Sequence, residues 1–275
     1  MVSSEQRRKQ LAREKYLRQQ ERRVETRRRD RVRNVVIAAG VAVVLAAGAA
    51  YAASGGLGGD KEDTASDAQP SATPSPSPEK EAPDPCGKPA KGKPNGEQWK
   101  EEPELTVDES ATYTMSLETT CGKIDVRMDA GKTPHTVNSF AFLSENDVFD
   151  HTKCHRLTTQ GIHVLQCGDP KGTGMGGPGY TIPDENLDDS RLKDDTYPAG
   201  TVAMANTGQK DTGGSQFFLV YKDSKLPPSY TPFGTVSDSG MKVLQKIAKA
   251  GVDGPAQDGT PVATVVIDDA EVQKS

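Results

Sequence analysis

The sequence predicts a mainly β domain, a β-barrel capped by two α-helices, at the end of a chain whose first 104 residues stay outside it. Three observations carry this. Residues 105–275 hold all six phenylalanines and all four histidines of the 275-residue chain, and a block of about 170 residues is large enough for one proper core. Within that block, short strand-like runs bounded by turn residues recur many times, whereas helical patterns occur only twice. Upstream, the composition changes. A hydrophobic fraction of 33% and a mean hydropathy of −0.66 belong to a chain with a large non-globular part.

The upstream part divides by charge. The total of −5 describes an ordinary acidic protein, but residues 1–33 carry 13 Lys/Arg against 5 Asp/Glu, residues 34–104 carry 6 against 11, and residues 105–275 carry 15 against 23. Residues 1–33 form a basic arm rich in helix-forming residues with only a sparse apolar row, Leu11, Leu17 and Val24. It reads as a cytoplasmic segment that sets topology and touches anionic lipid; it has no nucleic-acid motif, and no nucleic-acid partner is expected. Residues 34–54, opening NVVIAAGVAVVLAAGAAYAA, are uncharged and predominantly apolar. About 20 such residues make a helix of roughly 30 Å, enough to cross a bilayer. The positive-inside rule places the arm in the cytoplasm and the rest outside. A cleaved signal peptide is the rival, since Ala50-Tyr51-Ala52 has the form of a cleavage site, but a 33-residue basic leader is long for one. The favoured reading is an uncleaved single-pass anchor, with the lipid bilayer as a partner through residues 34–54.

Residues 55–104 read as a disordered, Pro-rich linker. Nine of the 19 prolines fall between Pro70 and Pro103, and such a segment buries too little apolar surface to offset the entropy of ordering. As a coil it reaches on the order of 40 Å, further where proline stiffens it. Cys86 and the only tryptophan, Trp99, sit near its end, which allows residues 86–104 to pack on the domain.

In the domain, strand patterns over 112–117 and 123–128 flank Thr119-Thr120-Cys121-Gly122 and predict a hairpin. Pro134 opens a helix through Asn146, with Val137, Phe140, Ala141 and Phe142 giving a partial apolar stripe. Short strands follow at 154–157, 163–167, 200–205, 216–221, 233–236 and 262–268, with a second helix over 241–250. Many short strands with two separated helices suggest a capped barrel.

Four cysteines lie beyond the anchor, Cys86, Cys121, Cys154 and Cys167, and an even count in an oxidising compartment predicts two disulfides. Three pairings are open. If Cys154 and Arg156 share a strand face and Gln166 faces Arg156 across a hairpin, Cys167 points the other way, which weighs against a Cys154–Cys167 bond.

Two motifs are set aside. Gly172-Thr173-Gly174-Met175-Gly176-Gly177 matches G-x-G-x-x-G, but Pro178-Gly179 follows and no helix begins, so it reads as a Gly-rich loop. His151, Cys154, His155, His163 and Cys167 match no zinc-site spacing, and disulfides use the cysteines more simply; no metal is expected. A histidine on a strand, as His155 would be, is more often a hydrogen-bonded structural residue.

A third set of segments carries more: His155-Arg156-Leu157, Gln166-Cys167-Gly168-Asp169, Ala203-Met204-Ala205-Asn206, Gly214-Ser215-Gln216-Phe217-Phe218 and Phe233-Gly234. An arginine beside a glutamine and a phenylalanine is suited to anchoring an amide over an apolar pocket. In this order and spacing the segments resemble the cyclophilin family of peptidyl-prolyl cis–trans isomerases, over essentially all of residues 112–270. The HR…QxGD and MAN…GSQFF pieces are the most specific. With the N-terminal anchor and the tether, the whole looks like membrane-anchored bacterial cyclophilins.

The resemblance implies an eight-stranded antiparallel barrel capped by two helices, an isomerase that needs no cofactor, and substrates that are proline-containing, exported polypeptides. The chain is expected to be monomeric. Arg156 matches the family's catalytic arginine, Gln166 the glutamine that helps hold that arginine and the substrate carbonyl, and Phe218 the floor of the proline pocket. Ala205, Asn206 and Gln216 match positions that anchor the peptide, Leu226 matches a pocket wall, and His155 falls beside the arginine at the groove. Three positions depart from the pattern. His163 and Val164 stand where the family usually has Phe and Met, after a two-residue insertion within 158–162; Tyr230 stands at the pocket histidine; Lys225 stands at the cyclosporin-contacting tryptophan, which counts against cyclosporin sensitivity. The altered pocket keeps open an alternative of another class, a Pro-peptide binding module or chaperone with little turnover.

Overall fold

A computed structural model describes residues 84–275; the basic arm, the anchor at 34–54 and residues 55–83 of the linker lie outside the described residues. Among those described, no helix is long and apolar enough to cross a membrane.

The elements follow in the order β1 (Thr112–Thr119), β2 (Gly122–Asp129), α1 (Pro134–Glu145), β3 (Thr152–Lys153), β4 (Arg156–Thr158), β5 (Val164–Cys167), β6 (Thr196–Tyr197), β7 (Thr201–Met204), β8 (Phe217–Val220), β9 (Ser224–Lys225), β10 (Pro232–Val236), α2 (Asp238–Ala250), β11 (Asp258–Gly259) and β12 (Val266–Lys274). Ten strands make one curled antiparallel ladder, ordered β11-β4-β5-β8-β7-β10-β2-β1-β12-β3, with β6 and β9 as a separate pair. The antiparallel sheet and the two helices are as expected, but the sheet is an open ladder of ten strands rather than an eight-stranded barrel. The ladder ends on β11 and β3, which pair only with β4 and β12, so the sheet curls into a half-barrel without closing.

The expected hairpin is present, with β1 and β2 joined through Thr120-Cys121. α1 occupies the expected residues. Its exposed first-turn amides need outside acceptors, and a distant carboxylate supplies them: Glu185 accepts from His135 N at 3.0 Å, Thr136 N at 2.9 Å and Thr136 Oγ1 at 2.7 Å. α2 starts three residues before the expected Met241. Ser237 caps it, its hydroxyl accepting from Gly240 N at 3.2 Å, so the Ser237–Gly240 stretch that reads as loop is cap and first turn. β12 spans 266–274 instead of 262–268. Its polar end is recruited by backbone pairing to β1, from Thr119↔Ile267 to Tyr113↔Lys274, where side-chain alternation gives little signal.

α1 and α2 cover the inner face of the sheet. Phe140 of α1 sits at the centre of that core, with ring centroids 5.2, 5.5 and 4.7 Å from those of Phe149, Phe217 and Phe233. Residues 84–104 form neither helix nor strand, yet they lie along the domain, so the ordered part begins well before 105. Gly87 N donates to Thr120 O at 2.7 Å, Asn95 Nδ2 to Asn146 O at 2.8 Å and Trp99 N to Pro178 O at 2.8 Å. The Trp99 ring packs edge-on against Phe142 at 5.0 Å. Buried Asn138 of α1 takes the segment's end through its amide, donating to Glu104 O at 2.9 Å and accepting from Thr106 N at 2.9 Å.

Both disulfides form, as Cys86–Cys121 and Cys154–Cys167. The second corrects the sequence expectation. Gln166 does face Arg156, and Cys167 does point to the inner side, but β4 begins only at Arg156. Cys154 lies before the strand, bonded through its N–H to Val265 O at 3.0 Å, and turns into the same inner core as Cys167.

Glu185→Ala removes the acceptor for three α1 donors and is expected to cost about 1–2 kcal/mol of stability, measured as a lower midpoint in chemical denaturation.

Candidate functional site

The site is built from strand alternation. Successive residues of a strand face opposite sides of the sheet, and the registers across β4, β5, β8 and β7 align one row of outward residues: Arg156 opposite Gln166, Gln166 opposite Phe218, Phe218 opposite Ala203. The neighbouring inward row is Leu157, Leu165, Leu219 and Val202, all buried in the main core. Two residues along the outward face, Val164 stands opposite Val220. Five outward or covering residues, Val164, Tyr197, Ala203, Phe218 and Val220, make a second apolar cluster, walled by Ile162, Leu192, Ala205, Leu226 and Tyr230.

This cluster places Phe218 as a floor. The Tyr230 ring stands nearly perpendicular to it at 5.4 Å. Tyr197, fully buried, donates its hydroxyl to Tyr230 O at 2.8 Å. Burial pushes the Tyr197 hydroxyl up to about 12, so it remains a donor. A line of polar groups runs beside the apolar floor. Arg156 Nη1 donates to Gln166 Oε1 at 3.1 Å, Gln166 Nε2 to Gln216 Oε1 at 2.9 Å, and Gln216 Nε2 to Gly176 O at 2.9 Å. Ala205 N is bonded to Gln216 O at 3.0 Å, and Asn206 Nδ2 donates to Ser229 O at 2.7 Å. A cavity of about 360 Å³ continues from this line, between Gln98, the Gly174–Gly179 loop, Asn206 and Gln216, and no charged side chain lines it.

Two expected residues sit elsewhere. The His163 ring, one residue ahead of β5, packs edge-on to Tyr221 at 5.7 Å. The ring of His155 is buried beside Gly174, and neither ring nitrogen reaches a hydrogen-bond partner among the described residues, unlike the hydrogen-bonded structural histidine expected there. Burial lowers its pKa, which favours the neutral ring. Lys225 is exposed on β9.

Sequence reading missed three contributors. Tyr197 and Leu192 lie in a stretch that reads as polar loop. Asp258, some 100 residues from Arg156, grips it side-on, with Nε to Oδ1 and Nη2 to Oδ2 both at 2.7 Å. Only its place on β11, next to β4, brings it there.

The arrangement matches a known family. Residues 114–272 fit the family model for cyclophilin type peptidyl-prolyl cis-trans isomerase/CLD. The chain belongs to the cyclophilin family. It is 48% identical over 165 residues to a probable peptidyl-prolyl cis-trans isomerase B of Mycobacterium tuberculosis, covering 57% of this chain and 53% of that protein. The Mycobacterium leprae counterpart is 49% identical over 166 residues, covering 58% and 56%. This chain thus spans about half the length of these curated relatives. A solved cyclophilin type isomerase from Cryptosporidium parvum superposes with a TM-score of 0.50 at 27% identity, covering 60% of this chain and 99% of that one. The segment 84–104 that borders the cavity lies upstream of the cyclophilin match.

Among the described residues no cluster of side chains could hold a metal ion. The Gly-rich loop is instead organised by a carboxylate. Asp169, fully buried, accepts from Lys171 N at 2.7 Å, Thr173 N at 2.8 Å, Gly174 N at 2.6 Å and Met175 N at 3.1 Å. Gly168 ahead of it has φ +82°, and a Cβ there would run into Ser215 O. Burial pushes the Asp169 carboxyl up, but the backbone N–H groups of Lys171, Gly176, Thr173 and Gly174 outweigh it and hold the pKa below the ordinary value. A lowered folded pKa contributes stability that is complete above the unfolded value near about pH 4 and is lost as pH falls through the folded value. Asp169→Asn turns one acceptor into a donor facing N–H groups. It is expected to cost about 1–3 kcal/mol at neutral pH and to flatten the acid limb of the stability profile, read by melting from neutral pH down into the acid range.

Proposed function

We propose that the domain is a peptidyl-prolyl cis–trans isomerase acting on exported polypeptides outside the membrane. The observation that carries this is the row Arg156–Gln166–Phe218: a hydrogen-bonded cationic fork on the same sheet face as an apolar cluster floored by Phe218. The mycobacterial relatives' names support it. Rotation about an X-Pro bond must break amide conjugation, a barrier of roughly 18–20 kcal/mol. Neither a covalent intermediate nor a cofactor is required, because stabilising the twisted amide more than the planar one suffices.

In this reading the proline ring rests on Phe218 between Val164, Leu226 and Tyr230. Arg156 donates to the prolyl nitrogen as that nitrogen becomes pyramidal and gains basicity. Gln166 holds the arginine and the substrate carbonyl. Ala205, Asn206 and Gln216 anchor the flanking backbone. Asn206, with Nδ2 bonded to Ser229 O and Oδ1 accepting from Gly208 N, keeps its second amide N–H for the peptide, and the uncharged cavity beside Gln216 accommodates neighbouring substrate residues.

The same reading keeps residues 1–33 in the cytoplasm and 34–54 across the bilayer. The charge step at Arg33 and the two disulfides of the domain support it, since such bonds persist in oxidising compartments.

The test is an NMR exchange or protease-coupled assay on a short X-Pro peptide. Arg156→Ala should slow catalysed exchange about 10²–10³-fold, as loss of one transition-state donor does elsewhere; equal rates in the two proteins would remove Arg156 from the mechanism. Saturable peptide binding with no faster exchange would favour the binding-module alternative. For topology, protease added to intact cells should cut the linker and leave the basic arm protected; a protected linker would reverse the orientation.

A further inference from the structure

Arg156 does not approach the pocket alone. β11 pairs with β4 so that Asp258 stands opposite Thr158, two residues along from Arg156 on the same strand. Side chains two apart share a face, and the diagonal neighbour across a strand pair is within reach of a long side chain. The result is a side-on carboxylate clamp on Nε and Nη2, while Gln166 takes Nη1. Three of the five guanidinium N–H groups are thereby committed, and two remain uncommitted.

The loop that presents Asp258 is itself tied down. Thr159 N donates to Gln257 O at 2.8 Å, Asp253 N to Thr260 O at 2.8 Å, and Val252 bridges Pro261. The clamp is thus anchored through backbone on both sides of Asp258, and it acts on the plane of the fork rather than on its distance from the sheet. An arginine held only by Gln166 would still rotate about its terminal torsions.

We propose that Asp258 is a positioning residue for the isomerase reaction: its carboxylate fixes the plane of the Arg156 guanidinium so that the uncommitted N–H groups face the prolyl nitrogen. This rests on the isomerase reading above. Asp258 touches no substrate in this scheme. Its removal acts on the twisted amide, where the donor must be aligned, and leaves the planar ground state bound as before.

The experiment compares the 275-residue chain with Asp258→Asn and Asp258→Glu, following kcat and KM on an X-Pro peptide together with solvent exchange of the Arg156 Nε–H by nitrogen-edited NMR. Misplacement of a reacting group by a fraction of an ångström to 1 Å is costly, so Asp258→Asn should lower kcat/KM about tenfold, through kcat, with KM changed less than about twofold. The Nε–H should lose its protection, Asp258→Glu should recover much of both, and the melting temperature should stay close to that of the parent. Unchanged kcat with raised KM would make Asp258 a peptide-binding group and overturn the proposal, as would equal or faster turnover. A parent chain that does not speed exchange would overturn the isomerase reading instead; the clamp would then be judged on the Nε–H alone, whose persistence in Asp258→Asn refutes it.

Discussion

The two-residue alternation of four short strands governs this domain. β4, β5, β8 and β7 contribute three or four residues each, and their registers turn two adjacent rows into opposite surfaces. One row, Leu157-Leu165-Leu219-Val202, is core; the other, Arg156-Gln166-Phe218-Ala203, is site. A slip of one residue in any pairing would exchange the two sets, placing a guanidinium in the phenylalanine core and leucines in the groove. Folding stability and the layout of the site therefore rest on one constraint, and a register with a large burial penalty for slipping is also a well-determined site.

Around that row the domain uses fixed partners rather than mobile ones. The polar line from Asp258 through Arg156, Gln166 and Gln216 ends on a backbone carbonyl of the Gly-rich loop. That loop is in turn wound on Asp169. On the inner side, the Cys154–Cys167 bond ties the chain just ahead of β4 to the end of β5, flanking the pair that carries Arg156 and Gln166. The site is thus held from both faces of the sheet.

Much of this was legible in the sequence, for reasons that can be named. The β1–β2 hairpin, α1 and Arg156 opposite Gln166 follow from local alternation, capping and motif spacing, and the apolar surroundings of Phe218 are what the family resemblance implies. Other features depend on contacts that no local pattern encodes. Asp258 looks like a turn residue until β11 docks on β4. Tyr197 sits in an acidic stretch but joins the Phe218 cluster, with a bond to the Tyr230 carbonyl. The pairing of Cys154 depended on where β4 begins, a boundary of one or two residues. β12 was misplaced because its partner, not its own pattern, determines which residues pair.

The Cys86–Cys121 bond has a mechanical consequence. Cys86 lies ahead of the segment that borders the cavity, and it is joined to the turn between β1 and β2. Tension arriving along the chain from upstream therefore passes into that turn and is borne by the β1–β2 and β1–β12 ladders. Residues 87–104, with Gln98 lining the cavity, lie beyond the branch and out of the load path. A pull applied at Cys86 would leave the wall of the cleft in place.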